Sequence, residues 1–207
     1  GSAEMSALAH GSAGQLLIGA TNVALPRLLP AAIAAMKAEQ PTLTLSVRTH
    51  ALPMMLDELR HGRLDLVLAR MPEHDRPHDL RAHLLGPARQ LVVMSLKHPL
   101  ARARQLDWPL LARQAWVWPL PGTHTRELQE RFWRREGLDW PSNRIESGDI
   151  SLVLTLLQRL PLLALMPEDS ARAAARAGLA KILPLDVPIG LSDLVAWHLP
   201  PSSTFSP

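Results

Sequence analysis

From Gln15 onward, apolar and polar positions along the chain fall into a repeating order. Leu16, Leu17, Ile18 and Ala20 make a short apolar run ending at Thr21 and Asn22, which predicts a strand. Leu25, Leu28, Leu29, Ala32, Ile33 and Met36 then recur at three- and four-residue spacing, the mark of one apolar helical face over residues 24 to 39. Pro26 is tolerated in a first turn, Pro30 is expected to distort the helix, and Pro41 closes it. Leu43, Leu45 and Val47 alternate with Thr44, Ser46 and Arg48 as a strand with one drier face. A second helix is predicted from Pro53 to Arg60, stopped by Gly62. Leu64 to Ala69 is a nearly continuous apolar run, as in a parallel strand covered on both faces.

Strand, helix, strand, helix, strand is the signature of an α/β fold. Leu84 to Leu96 reads as two strands, the clearer one in QLVVMSL, and here the chain is expected to pass into a second lobe. That lobe is read as a short helix over Leu106 to Arg113, a strand over Ala115 to Trp118, the loop PLPGTHT and a charged helix from Arg126 to Glu136. A strand over Arg144 to Glu146 follows, and Ser147, Gly148 and Asp149 lead into a helix carrying Leu152, Leu156 and Leu157. Pro161 to Met166 is a buried strand and Pro167 to Ala177 a helix. Ala180 to Leu185 and Leu191 to Trp197 are strands, the last returning the chain to the first lobe. The expected division is residues 15–88 with 187–207 as one subdomain and 89–186 as the other, after a preface, 1–14. Two α/β lobes joined by two crossovers place a ligand cleft at the strand ends between them.

Composition narrows the function classes. The 207 residues suffice for a real core, and 47% are hydrophobic and 20% charged, as in a globular protein. Charges, Pro or Gly interrupt every apolar run before it reaches a membrane-spanning length. The net charge is only +3 while the isoelectric point is near 10.1. The two agree because the chain has no Tyr or Cys and few Lys, so little titrates between neutral and very high pH. The high value is therefore a poor argument for nucleic-acid binding. Arg131, Arg134 and Arg135, flanked by Glu127, Glu130 and Glu136, read as a solvated helix face rather than a phosphate-binding patch. Without Cys there are no disulfides, thiolate metal sites or thiol nucleophiles, which fits a reducing compartment. Residues 1–14 show neither the basic start nor the apolar stretch of a secretory leader, so the protein is expected to be cytoplasmic unless a leader has been removed. No local catalytic motif, phosphate loop, dinucleotide glycine pattern or metal-ligand spacing is present, so no cofactor, metal or enzymatic activity is expected.

Six ordered motifs together resemble the regulatory domain of LysR-type transcriptional regulators. GQLLIGAT followed by LPRLLPAAIAAMKAEQP resembles the opening of that domain, and MMLDELRHGRLDLVLAR and LVVMSLKHPLA resemble its next two elements. PLPGTHTRELQERFW, IESGDISLVLTLL and LLALMPEDSA then fall in the family's order. The wording is similar to regulators of aromatic and sugar catabolism, those of the protocatechuate pathway and of galactose-binding protein. The resemblance implies a two-lobe, type II periplasmic-binding-protein-like fold in a bacterial, cytoplasmic sensor. It implies a small organic effector between the lobes, self-pairing as a dimer, a tetramer in the full-length protein, and DNA contact only through an N-terminal winged helix-turn-helix. That headpiece would precede Ala3. Gly1-Ser2 reads as a cloning remnant, Ala3 to Gly14 resembles the end of the family's linker helix, and PPSSTFSP stops where a closing helix usually follows. The alternatives are an extracytoplasmic solute-binding protein of the same fold and, third, an enzyme on a related two-lobe fold.

Candidate effector contacts lie at strand ends and helix starts, where free backbone amides favour an anion. Thr21 and Asn22 follow the first strand, and both are equally suited to cap the next helix. Thr49, His50 and Ala51 follow the second strand, and Arg70 ends the third, as a charged clamp or a surface Arg. In the second lobe Pro121, Gly122, Thr123 and His124 form a turn that either reaches a ligand or merely connects, and Gly148 and Asp149 open a helix that Asp149 can cap. An acidic Asp149 argues against a carboxylate close by. The effector is expected to be anionic, and the Trp residues, Trp116 and Trp118 among them, are expected in the core.

Overall fold

Leu16, Ile18 and Ala20 are fully buried in β1, Gln15–Ala20, the first strand of a computed structural model that describes residues 14–21, 24 and 26–202. The apolar helix becomes α1, Leu28–Glu39, and buries Leu29, Ala32 and Met36. It begins later than the expected residue 24. Pro30 therefore falls in the first turn, where its missing N–H has no intrahelical partner to lose, and it does not distort the helix as expected. β2, Thr44–Arg48, α2, Leu52–Arg60, and β3, Leu66–Arg70, complete the repeating part. Gly62, in the left-handed region at φ 74°, carries the chain out of α2.

The chain divides into two units. One runs to Pro87 and resumes at Ser192, and the other spans Ala88–Leu191. The first holds a five-stranded sheet in the order β2-β1-β3-β10-β4, with β4 at Arg81–Ala88 and β10 at Leu191–His198. β1 pairs parallel with β2 and β3, while β10 runs antiparallel to β3. The nearly continuous apolar run of β3 has the expected cause. Leu66 and Leu68 join Leu16, Ile18 and the α1 residues on one face, and Val67 and Ala69 join Met55, Leu59, Val195 and Trp197 on the other. Gly19 lies in the middle of this sheet, and a Cβ there would stand 2.8 Å from Leu64 Cδ1 and 2.9 Å from Met55 Sδ. The close approach of these side chains to β1 requires a residue without a side chain.

The second unit holds a sheet in the order β7-β6-β8-β5-β9. Its strands are β5, Gln90–Met94, β6, Trp116–Trp118, β7, Arg144–Glu146, β8, Leu163–Pro167, and β9, Lys181–Ile182. Its helices are α3, Trp108–Ala112, α4, His124–Arg135, α5, Ile150–Arg159, and α6, Glu168–Arg176. β6 pairs parallel with β7 and β8, and β5 antiparallel with β8 and β9. One face carries an aromatic cluster in which Trp133 meets Trp116 and Trp118 edge-on, each at 5.3 Å between ring centroids. Pairs of this geometry are worth about 0.5 to 1.5 kcal/mol beyond their buried area. Trp116, Trp118, Trp133 and Trp197 are buried core, as the sequence led us to expect, whereas Trp108 is half-buried and Trp140, beside Trp118, is exposed. The strand read over Ala180 to Leu185 is cut short at β9, because Pro184 supplies no N–H to a ladder. From there Leu185, Val187, Ile189 and Leu191 pack on the aromatic cluster, so the segment beyond the expected return at residue 187 still contacts the second unit.

Candidate functional site

In the first unit, parallel pairing brings the carboxyl ends of β2, β1 and β3 to one edge, and the candidates gather there. The Thr21 N–H donates to the Leu68 carbonyl at 3.0 Å, which extends the β1–β3 pairing and holds Thr21 beside the end of β3. Its own carbonyl accepts from the Ala24 N–H at 3.1 Å. Thr21 does not cap α1, whose first residue is Leu28 and which has no side-chain cap. Asn22 lies outside the described residues. Thr49, His50 and Ala51 follow β2 and are all exposed. Ala51 is the N-cap of α2 and has no side-chain acceptor to offer, and the first turn of α2 carries no acidic residue. That helix start is therefore electropositive and uncompensated by its own side chains.

Arg70 ends β3 on the same edge. It is half-buried, and its guanidinium has no hydrogen-bond or ion-pair partner among the described residues. Loss of hydration on burial pulls its pKa down to about 10. Ion pairs account for other basic groups of this unit, including Arg48 with Glu58 at 3.5 Å and Arg60 with Asp79 at 2.7 Å. Arg70 thus stands as a cation held partly out of water with no anion to meet it among the described residues.

The second unit has its own strand-end edge. β6 and β7 are parallel neighbours, and the Ser147 N–H donates to the Trp118 carbonyl at 2.9 Å, so the loop at 119–123 runs beside Ser147, Gly148 and Asp149. Here the side chains close their own helices. The Thr123 hydroxyl donates to the Leu120 carbonyl at 2.7 Å and accepts from the Arg126 N–H at 3.2 Å, capping α4. A hydroxyl donates once and accepts twice, so one lone pair is left. Asp149 accepts from the Leu152 N–H at 3.0 Å and caps α5. The capping alternative holds for both residues. Gly122, at φ 80°, makes the turn after Pro121, and Pro121, Gly122, His124 and Gly148 are exposed.

Sequence reasoning passed over Arg126, the residue that ties this edge together. With only 5% of its side chain exposed, it donates to Glu130 at 2.7 Å, to the Pro119 carbonyl at 2.9 Å and to Glu146. Its guanidinium also lies over Trp118, 4.9 Å from the ring centroid. The bond to Arg126 holds the Glu146 carboxyl below the usual carboxylate range. The four-residue spacing of Arg126 and Glu130 was visible in the sequence as a helix pair, whereas Glu146, twenty residues on, was not.

Two sheets in one chain that leaves the first unit and returns to it, each with parallel strand ends meeting helix starts, define an α/β ligand-binding domain of the type II periplasmic-binding-protein-like fold. The model of the family described as "LysR substrate binding domain" matches residues 9–202, and the chain belongs to that family, the effector-sensing domain of LysR-type transcriptional regulators. It is 28% identical over 89% of its length to the HTH-type transcriptional regulator GalR of Pseudomonas putida. It is 26% identical over 84% to GbpR of Rhizobium radiobacter. The chain spans about half the length of these curated relatives, 46% and 58%. The BenM effector-binding domain with its effector benzoate has the same fold, with a TM-score of 0.69 at 20% identity, covering 89% of this chain and 83% of that one.

Proposed function

We propose that this domain senses a small anionic organic molecule at the strand-end edge of its first unit, with Arg70 as the charged contact and Thr21 and Thr49 as hydrogen-bonding neighbours. The observation that carries the reading is the half-buried guanidinium of Arg70 without an anion partner among the described residues, next to a strand-end residue whose backbone is pinned. A cation in such surroundings gains from a ligand carboxylate, because a charge-assisted bond replaces the water that burial removed. The benzoate bound by BenM, a carboxylate, agrees with this ligand class. On the second unit's own edge, His124 and Gly148 form a separate candidate set, and the remaining lone pair of Thr123 can accept only from a donor group of a ligand, not from a carboxylate. Asp149 is assigned to capping.

In the whole protein the effector would act by binding one arrangement of the domain better than another, and so reset paired DNA-binding heads supplied by an N-terminal segment. We assign the protein to the cytoplasm and give it a binding role with no catalysed step. An extracytoplasmic solute receptor is not favoured, since the matched relatives are HTH-type regulators. The test is a thermal-shift screen of small carboxylates, benzoate first, repeated on Arg70→Gln. A carboxylate that raises the parent's melting temperature in proportion to occupancy should need roughly 10-fold or more higher concentration in the variant, from the worth of a charged hydrogen bond. Equal binding by parent and variant would remove Arg70 from the site.

A further inference from the structure

His83 in β4 and His198 in β10 meet across neighbouring strands of the first sheet, with their Nε2 atoms 2.9 Å apart. The ring centroids are 5.0 Å apart and the planes differ by 17°. A ring centroid lies about 1.1 Å from its nitrogen, so the separation is close to the longest that a 2.9 Å contact permits, and the two nitrogens point nearly straight at each other. His198 Nδ1 lies 2.7 Å from the Leu199 carbonyl oxygen, an acceptor that can only be met by an N–H. The neutral His198 ring therefore carries its lone pair on Nε2, and His83 supplies the proton between them through its own Nε2. His83 is exposed and His198 half-buried, so the pair is open to solutes.

We propose that this pair is a surface site for a divalent transition metal of the imidazole-binding class, such as Ni2+, Zn2+ or Cu2+. When His83 passes to its other tautomer, its Nε2 proton going to solvent and one from solvent joining Nδ1, each ring carries a lone pair on Nε2. Bonds of about 2.0 to 2.1 Å at a tetrahedral angle need the nitrogens roughly 3.3 Å apart and each ring turned by about 35° from the head-on contact, so binding re-aims both imidazoles as well as parting them. The hydrogen bond from His198 Nδ1 to a backbone carbonyl is the outer-shell partner that ligating histidines usually have, and it presents Nε2 in advance. Among the described residues no group of three His, Cys, Asp or Glu could hold a metal, so water completes the shell and the site is one of modest affinity. Arg81, two residues before His83 and on the same side of the strand by alternation, adds a like charge that favours a weakly held ion over a structural one. A bound ion would join the strand that leads out of the first unit to the strand that leads back in, since the chain leaves that unit at Pro87 and re-enters at Ser192.

The experiment is calorimetric titration of the untagged chain with Ni2+, then Zn2+, at mildly alkaline pH in a buffer that does not chelate. It is repeated on His83→Asn, His198→Asn and, as a control elsewhere on the surface, His61→Asn. One site per chain is expected, weakened at least 10-fold in each of the two pair variants and unchanged in the control. The metal should also raise the melting temperature of the parent and not that of the pair variants, while circular dichroism establishes that all are folded. Absence of binding up to millimolar Ni2+, or binding that both pair variants retain, would overturn the proposal and leave the contact as a proton-sharing pair only.

Discussion

At the scale of single residues, burial and hydrogen bonding sort the polar groups into those already satisfied and those left to meet a ligand. Thr123 belongs to the first kind, since its hydroxyl both donates to Leu120 and accepts from the α4 amide. Replacing it with Val keeps the volume but removes the cap. Thr123→Val should destabilise the protein by about 1 kcal/mol in urea unfolding, the usual cost of losing a Thr cap. No loss would mean that the hydroxyl does not cap the helix. The sequence showed that Thr123 could cap, yet it could not show that its one hydroxyl proton would be spent on Leu120. His98 is similar. In the motif KHPLA it was only a family marker, but it is buried, with Nδ1 accepting from the Leu100 N–H at 3.0 Å, so it works as the neutral pin of a turn. Burial lowers its pKa.

Between elements, ion pairs decide which loop is held. Arg89 follows directly on β4 and sets both arms of its guanidinium on Glu168, at 2.8 and 3.0 Å, at the start of α6. Arg172 adds a second cation at 2.8 Å. The bonds from Arg89 and Arg172 depress the pKa of Glu168 to about 2 from an ordinary 4.5. Between those values the unfolded chain binds more protons than the folded one, so this contribution is complete above pH 4.5 and is lost as pH falls toward 2. Chemical denaturation as a function of pH should show a fall in stability in that window that is smaller in Glu168→Gln. The difference should be roughly 1 kcal/mol at most, because Arg89 is largely exposed and water screens the pair. His98 contributes at higher pH with the same sign. Its lowered pKa means that the unfolded state binds the extra proton, so stability declines as pH drops below about 6.5 in either form of the protein. A Glu168→Gln curve identical to the parent's between pH 4.5 and 2 would show that the bonds to Glu168 add nothing to stability.

For the whole molecule we propose self-pairing through the outer surface of α1. Sedimentation at high concentration should then show a dimer or larger species, and a monomer at every concentration would remove that proposal. The sequence by itself determined the α/β class, the order of elements and most of the core. These depend on local periodicity, and β3 or α5 shows its apolar positions to any reader who counts by two or by three and four. It also placed Arg70 and Thr49 at strand ends, since a strand end is a local property. The tertiary structure decided which charges find partners. Glu146 reaches Arg126 only after β7 pairs with β6, His83 reaches His198 only across the sheet, and Arg70 is half-buried by the fold without an acidic partner among the described residues. Such pairings join residues far apart in the chain. No local pattern encodes them, because their energy depends on the distance and the burial that the finished fold imposes.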